Sequence, residues 1–195
     1  MHLLFRHNNY FVKEHVGMFK ASNNYDVYDP ATSQMILTCR EPKLGFFTKF
    51  FRFTEYKRMT PFEVVISQPN GNPLVTVKRD FTFFRSVVYI FDESNKLQGT
   101  FRQRMLSLGG KFDILDENNQ VQCTLQGKWS SWDFTFVRNE EIIARVSKKW
   151  AGMGKELFTS ADNYMLAIEP AVDEQDDVRI LIIAAVMCID MVLKE

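Results

Sequence analysis

Three groups of residues have types and spacings that can do chemistry. The first is Lys43–Arg58 (KLGFFTKFFRFTEYKR), where Lys43, Lys49, Arg52, Lys57 and Arg58 interleave with Phe46, Phe47, Phe50 and Phe51. At 100° per residue these phenylalanines and Phe53 share one half of a helical wheel, and Thr48, Lys49, Arg52, Glu55 and Tyr56 take the other. A helix divided this way can lie in a bilayer interface, its Phe face buried and its cations among anionic headgroups. The structural alternative is a Phe face that closes one end of a core, with the basic face in water. The second group, Lys78-Arg79-Asp80-Phe81-Thr82-Phe83-Phe84-Arg85, has the same composition, and serves equally as a strand pair with a Phe-lined interior. The third is the acidic run Asp173, Glu174, Asp176 and Asp177. It can supply oxygen ligands to calcium if Asp162 and Glu169 converge on it. It can also simply cap a helix, because carboxylates satisfy the free N–H groups at a helix start.

No arrangement for catalysis stands out. There is no Ser-His-Asp order, no Gly-rich phosphate loop and no Cys/His cluster, so no enzyme is expected. His2, His7 and His15 fit no usual zinc spacing and are read as surface residues of the N-terminal segment. Lys148-Lys149-Trp150 can meet a headgroup by charge and indole, or can end a strand at a rim.

The remaining composition narrows the class. A chain of 195 residues is long enough for one sizeable core. A formal net charge of +0 argues against a nucleic-acid partner. Cys39, Cys123 and Cys188 are scattered within apolar segments, the usage of a reducing compartment. The N-terminal MHLLFRHNNYFVKEH has no apolar stretch of secretory length. A cytoplasmic protein is expected, peripheral at the inner face of the plasma membrane if the lipid reading holds.

The elements that must position these groups are short strands. Alternating runs flank turns of Asp, Asn and Gly at Tyr25–Tyr28/Met35–Thr38, Phe62–Ser67/Leu74–Lys78, Val87–Phe91/Leu97–Phe101, Phe112–Leu115/Val121–Leu125 and Trp132–Val137/Glu141–Ser147. Period-two alternation bounded by turn residues marks half-buried hairpins. Asp92 and Asp116 open equivalent turns 24 residues apart, one strand–turn–strand unit per repeat. Trp150–Ser160, with Gly152 and Gly154, reads as a loop or short helix.

The stretch VRILIIAAVMCIDMVLKE at Val178–Glu195 then explains what the strands surround. A helix hydrophobic all round needs an apolar sleeve. From Val178 to Val192 it is about 22 Å long, short of the roughly 30 Å of bilayer hydrocarbon. It is read as a core helix, with a short membrane anchor as the alternative. Closing the sheet hides its edges, and a barrel of ten to twelve strands has room for a helix. The expected fold class is therefore all-β with one central helix: a closed antiparallel barrel of about twelve strands around a hydrophobic C-terminal helix. The expected layout is one domain over 1–195, with a short N-terminal segment 1–20, barrel 21–170 and central helix 177–193. Arg179 and Asp190 both oppose the helix dipole, so Arg179 is expected to face an acid and Asp190 a donor.

The C-terminal block S-A-D-N-Y-M-L-A-I-E-P, the acidic Asp173–Asp177, and the apolar helix ending I-D-M-V-L-K-E together resemble the end of phospholipid scramblases. The Y-x-V-x-D and F-x-I-x-D units are similar as well, extending the likeness over roughly Tyr25 to Glu195. The resemblance implies the tubby C-terminal-like fold, shared with plant LURP-one-related proteins, and a link to phospholipid scrambling. It also implies a calcium loop in which Asp162 and Asn163 match and Asp173 is a later acid. Ser160 stands where the family has Asp, Met165 where it has Gly, and Pro170 comes one residue late. The Cys-rich palmitoylation cluster of many animal members has no counterpart, since Cys39 is solitary. The expected function is a scramblase-related, peripheral lipid- and membrane-binding module, with Lys43, Phe46, Phe47, Lys49, Phe50, Phe51, Arg52, Lys57 and Arg58 as its lipid contacts and an anionic phospholipid surface as partner. Two alternatives stay open: a soluble protein-interaction scaffold, and a scramblase proper anchored by its C-terminal helix. No cofactor is expected beyond calcium at Asp162 and Asp173.

Overall fold

The computed structural model describes residues 2–15, 24–42, 60–81, 86–104, 111–128, 132–148 and 163–193, without the side chains of Lys128, Cys188, Asp190, Met191 and Leu193. All five expected hairpins form. They are β2 (Tyr25–Tyr28) with β3 (Met35–Arg40), β4 (Phe62–Ser67) with β5 (Pro73–Arg79), β6 (Val87–Asp92) with β7 (Leu97–Gln103), β8 (Phe112–Asp116) with β9 (Val121–Lys128), and β10 (Asp133–Arg138) with β11 (Glu141–Ser147).

Two further strands lie outside these hairpins. These are β1 (Asn9–Glu14) and β12 (Asn163–Ile168), each with consecutive buried residues. β1 pairs with β12 on one side, Phe11 opposite Met165, and with β2 on the other, Val12 opposite Val27. The chain is thus a meander in which every strand lies beside its sequence neighbours and β1 joins β12 to close the barrel. The expectation that residues 1–20 stand outside the barrel is corrected here. The open edges of β2 and β12 would offer unpaired N–H and C=O groups, and residues 9–14 cover both.

Helix α1 (Val178–Leu193) fills the barrel. Ile182, Ile183, Ala184 and Ala185 have no accessible surface at all. Each fully buried Val, Leu or Ile contributes about 1.5–3 kcal/mol, so the helix and its sleeve stabilise one another. The fit is close. A Cβ added at Gly99 on β7 would lie 2.2 Å from the Leu115 carbonyl oxygen and 2.9 Å from Leu181 Cδ2 of α1. Inside the sleeve Phe101 and Phe112 stack with centroids 4.4 Å apart.

Two cysteines share this interior. Burial pushes the Cys39 thiol far above its ordinary pKa and that of Cys123 up to about 12. Since only the thiolate is nucleophilic, iodoacetamide should leave both unmodified in the native protein and alkylate both in urea. Peptide mapping reads this directly; native-state labelling at either position would contradict the closed barrel.

The two ends of the barrel differ. At one end the strands are joined by tight turns. Asp92 Oδ1 accepts from the Ser94 and Lys96 N–H groups, each at 2.9 Å, and Oδ2 accepts from Gln98 Nε2. Asp116 repeats this with Asn118, Gln120 and Gln122. Asn95 and Asn119 take left-handed φ values of 61° and 60° in the two turns, a conformation Asn tolerates. The 24-residue sequence repeat is thus one turn used twice. At the opposite end the strands are joined by longer connections: 15–24, 41–61, 80–86, 104–111, 129–132 and 148–162. α1 starts at the turn end and runs toward this connection end.

Candidate functional site

At the turn end the acidic residues are largely committed to local structure. Asp176 Oδ1 accepts from the Val178 N–H at 3.0 Å, and its Oδ2 pairs with Arg138 at 2.8 Å. Asp173 Oδ1 accepts from the Gln175 N–H at 2.7 Å. Asp176 thus takes the capping role, and Asp173 closes the turn that precedes the helix. A cavity of about 310 Å³ lies beside the helix start, lined by Asp92, Glu93, Gln98 and Asp177, and a neighbour of about 270 Å³ by Asp116, Glu117 and Asp176.

Arg179 is the most buried charge described, at 1% exposure. It does not face an acid, contrary to expectation. Its Nε donates to the Asp173 carbonyl, one Nη to the His7 carbonyl, and the other to the Val172 carbonyl and Asn8 Oδ1, all within 3.0 Å. Chain leaving β12 and chain entering β1 turn their carbonyls inward, and their combined partial charge replaces a carboxylate. Arg179 therefore ties the helix to the seam that closes the barrel. Its partners His7 and Asn8 are about 170 residues away, and no local pattern marks them. The side chain of Asp190 lies outside the described residues.

Asp162 also lies outside the described residues, but Asn163 and Asp173 do not. Asn163 begins β12 at the connection end, while Asp173 follows that strand at the turn end. Six strand residues separate the ends by about 17 Å. A strand the sequence reading did not include thus separates Asn163 from Asp173, and the reading that pairs Asp162 with Asp173 at calcium falls on a residue outside the described ones. Met165, at the position of the family's Gly, is a buried strand residue opposite Phe11 and Ser147. Among the described residues no group of three or more His, Cys, Asp or Glu side chains could hold a metal ion.

The connection end carries the other chemistry. Lys43, Phe46, Phe47, Lys49, Phe50, Phe51, Arg52, Lys57 and Arg58 lie outside the described residues, as do Trp150–Ser160. The strand ends that bear them, Arg40 and Phe62, sit at this end. Of the second basic-aromatic group, Arg79 is buried, donating to the Thr60 carbonyl at 2.7 Å with its guanidinium 4.8 Å from the Phe62 ring centre. Lys78 pairs with Glu63 at 3.4 Å. The strand-pair reading holds for both, whereas Phe81 is 49% exposed.

Other cations of this rim are also engaged. Arg104 meets Asp113 at 2.7 Å. Asp26 meets both Arg40 and His15, the latter an exposed residue as expected. Burial pushes the Asp26 carboxyl up, but the hydrogen bonds from Arg40 and His15 outweigh it and hold the pKa below its ordinary 3.8. A depressed carboxylate contributes stability above its unfolded pKa and loses it as pH falls through the folded value. Asp26→Asn should therefore lower the urea midpoint at pH 7 and flatten its decline below about pH 4 relative to wild type. Parallel acid profiles for the two proteins would refute that assignment.

Lys148, read from the sequence as either a headgroup contact or the end of a strand at a rim, lies over Trp132, its Nζ 4.2 Å from the ring centre. Trp132 stacks on Tyr164 and meets Phe134 edge-on, each with centroids 6.0 Å apart. The tryptophan next to the start of a strand was visible in the sequence, but its pairing with Lys148 required the β10–β11 register.

The Scramblase family model matches residues 7–195. The chain belongs to the scramblase family. An X-ray structure of a protein from Arabidopsis thaliana superposes with a TM-score of 0.57 at 14% identity, covering 97% of this chain and 94% of that one. That likeness shows the fold: this scramblase-family chain is a closed twelve-stranded antiparallel barrel around a helix, the tubby C-terminal-like fold. No curated protein matches it. In this family member the apolar C-terminal helix is the barrel's filling, so the anchor reading does not describe this fold. Among the described residues no helix is long and apolar enough to cross a membrane. The outward faces of the strands carry charges such as Glu63, Lys78, Asp133 and Arg145, unlike the apolar band of a lipid-spanning barrel.

Proposed function

We propose that this scramblase-family chain is a non-catalytic, peripheral lipid-binding module that docks on anionic phospholipid by its connection end. The observation that carries the reading is the asymmetry of the barrel. In sequence, the connections of that end hold Lys and Arg in excess of Asp and Glu, together with aromatic residues that include all three tryptophans. The connections of the turn end hold Asp29, Glu93, Glu117, Glu140, Glu169 and the 173–177 run, set against Lys96 and Arg6. Such a charge distribution orients a protein at a negative surface. A lumen filled by α1 supports binding over translocation, because headgroups find no polar path through it. A cytoplasmic location at the inner leaflet fits this role.

Sedimentation with anionic and zwitterionic vesicles tests it. Binding is expected to anionic vesicles at moderate salt, to fall steeply in high salt, and to weaken in Lys49→Ala/Arg52→Ala. No binding at moderate salt would favour the soluble interaction scaffold. Accelerated lipid exchange between leaflets of vesicles carrying the purified protein would overturn the binding-only role.

A further inference from the structure

We infer that Trp132 and Lys148 form a fixed anchor at the connection end, placing the indole at the boundary between headgroups and hydrocarbon and the ammonium on a lipid phosphate. The inference rests on the membrane-docking reading above and names the contact that sets its geometry. Trp132 is a rigid platform. Its ring is held from below by Tyr164 and Phe134, and it packs against the barrel core. Its φ of 51° is rare for a bulky residue, and strained residues persist where the surroundings over-determine them. The Lys148 N–H donates to the Trp132 carbonyl, so the cation and the indole are joined through backbone as well as through the ring.

The pair has the form suited to an interface. Trp is favoured at the headgroup level because one part is apolar and the N–H is polar. Lys extends an apolar stem along such a surface and keeps its charge at the phosphates. The other two tryptophans of the chain, Trp129 and Trp150, fall in the two connections that flank Trp132 and Lys148, 129–132 and 148–162. The acidic turn end faces the other way. An anchor here would thus hold α1 roughly along the membrane normal, its acidic start pointing into solution.

The test uses the full chain with Trp129→Phe and Trp150→Phe, leaving Trp132 as the sole indole, and vesicles of phosphatidylserine and phosphatidylcholine. Vesicle addition should shift the Trp132 emission to the blue, and lipids brominated near the headgroup should quench it more than lipids brominated near the chain end. Lys148→Gln should weaken binding to the anionic vesicles about fivefold, the effect of one Lys near an anionic surface, with its melting temperature close to that of wild type. If Lys148→Gln fails to fold, the quenching pattern alone decides. Wild-type binding with an unshifted, unquenched Trp132 would overturn the anchor and leave the docking reading standing. Failure of the wild type to bind any vesicle would remove both.

Discussion

Ile183→Asp is expected to abolish the cooperatively folded barrel. Ile183 has no accessible surface and sits within α1, enclosed by the strands. An ionised carboxylate there has no partner in an apolar lumen, and an uncompensated buried charge costs several kcal/mol. The lost Ile burial adds to that cost. Domains of this size have a total stability of about 5–15 kcal/mol, so the combined effect is of the order of the whole. Loss of near-UV circular dichroism and of a cooperative melt should report it. Ile183→Val, which removes one methyl and costs about 0.5–1.5 kcal/mol, should stay folded and so controls for position. A cooperative melt of Ile183→Asp within a few degrees of wild type would mean that the helix is not the barrel's filling.

Arg179→Met should cost about 3–5 kcal/mol, the scale for removing one side of a buried charged network. It strands the carbonyls of His7, Val172 and Asp173 and the amide oxygen of Asn8, each a lost or rehydrated acceptor. The costs do not simply add, because water at the turn end can reach some of these oxygens. Arg179→Lys keeps the charge but not the planar fork that serves four acceptors, so it should recover less than half of the loss. Urea midpoints give the magnitude. Amide exchange gives the location, since protection of β1 should fall before that of β6 to β9. A loss below about 1 kcal/mol, with β1 still protected, would show that the β1–β12 ladder holds the seam without Arg179.

The two predictions rest on features of different legibility. The filling helix was readable because ten successive apolar residues leave no face for water, whatever surrounds them. The five hairpins were readable because the lumen is apolar and the outside is wet, which forces alternation with period two. β1 and β12 were not readable. Neither is joined to its neighbours by the short Asp, Asn and Gly turns that bound the other strands, and both bury consecutive residues. Missing β12 also left unseen that Asn163–Ile168, part of the block that resembles a ligand loop, runs the height of the barrel as a strand. The acids near the helix start were legible only as alternatives, and the Val178 amide makes Asp176 a cap while Asp173 accepts from Gln175 in the turn ahead of the helix. The lipid contacts in Lys43–Arg58 remain a reading of composition and spacing.

By itself, the sequence determined which residues are inside: periodicity and the unbroken apolar helix reflect the free energy of removing each side chain from water, and that quantity is local. Tertiary structure decided which residues meet. The closure of β12 on β1, the carbonyl cage around Arg179, and Lys148 over Trp132 each depend on strand register and on contacts between distant segments. Their partners are specified by geometry accumulated over the whole barrel, and no short window of residues contains it.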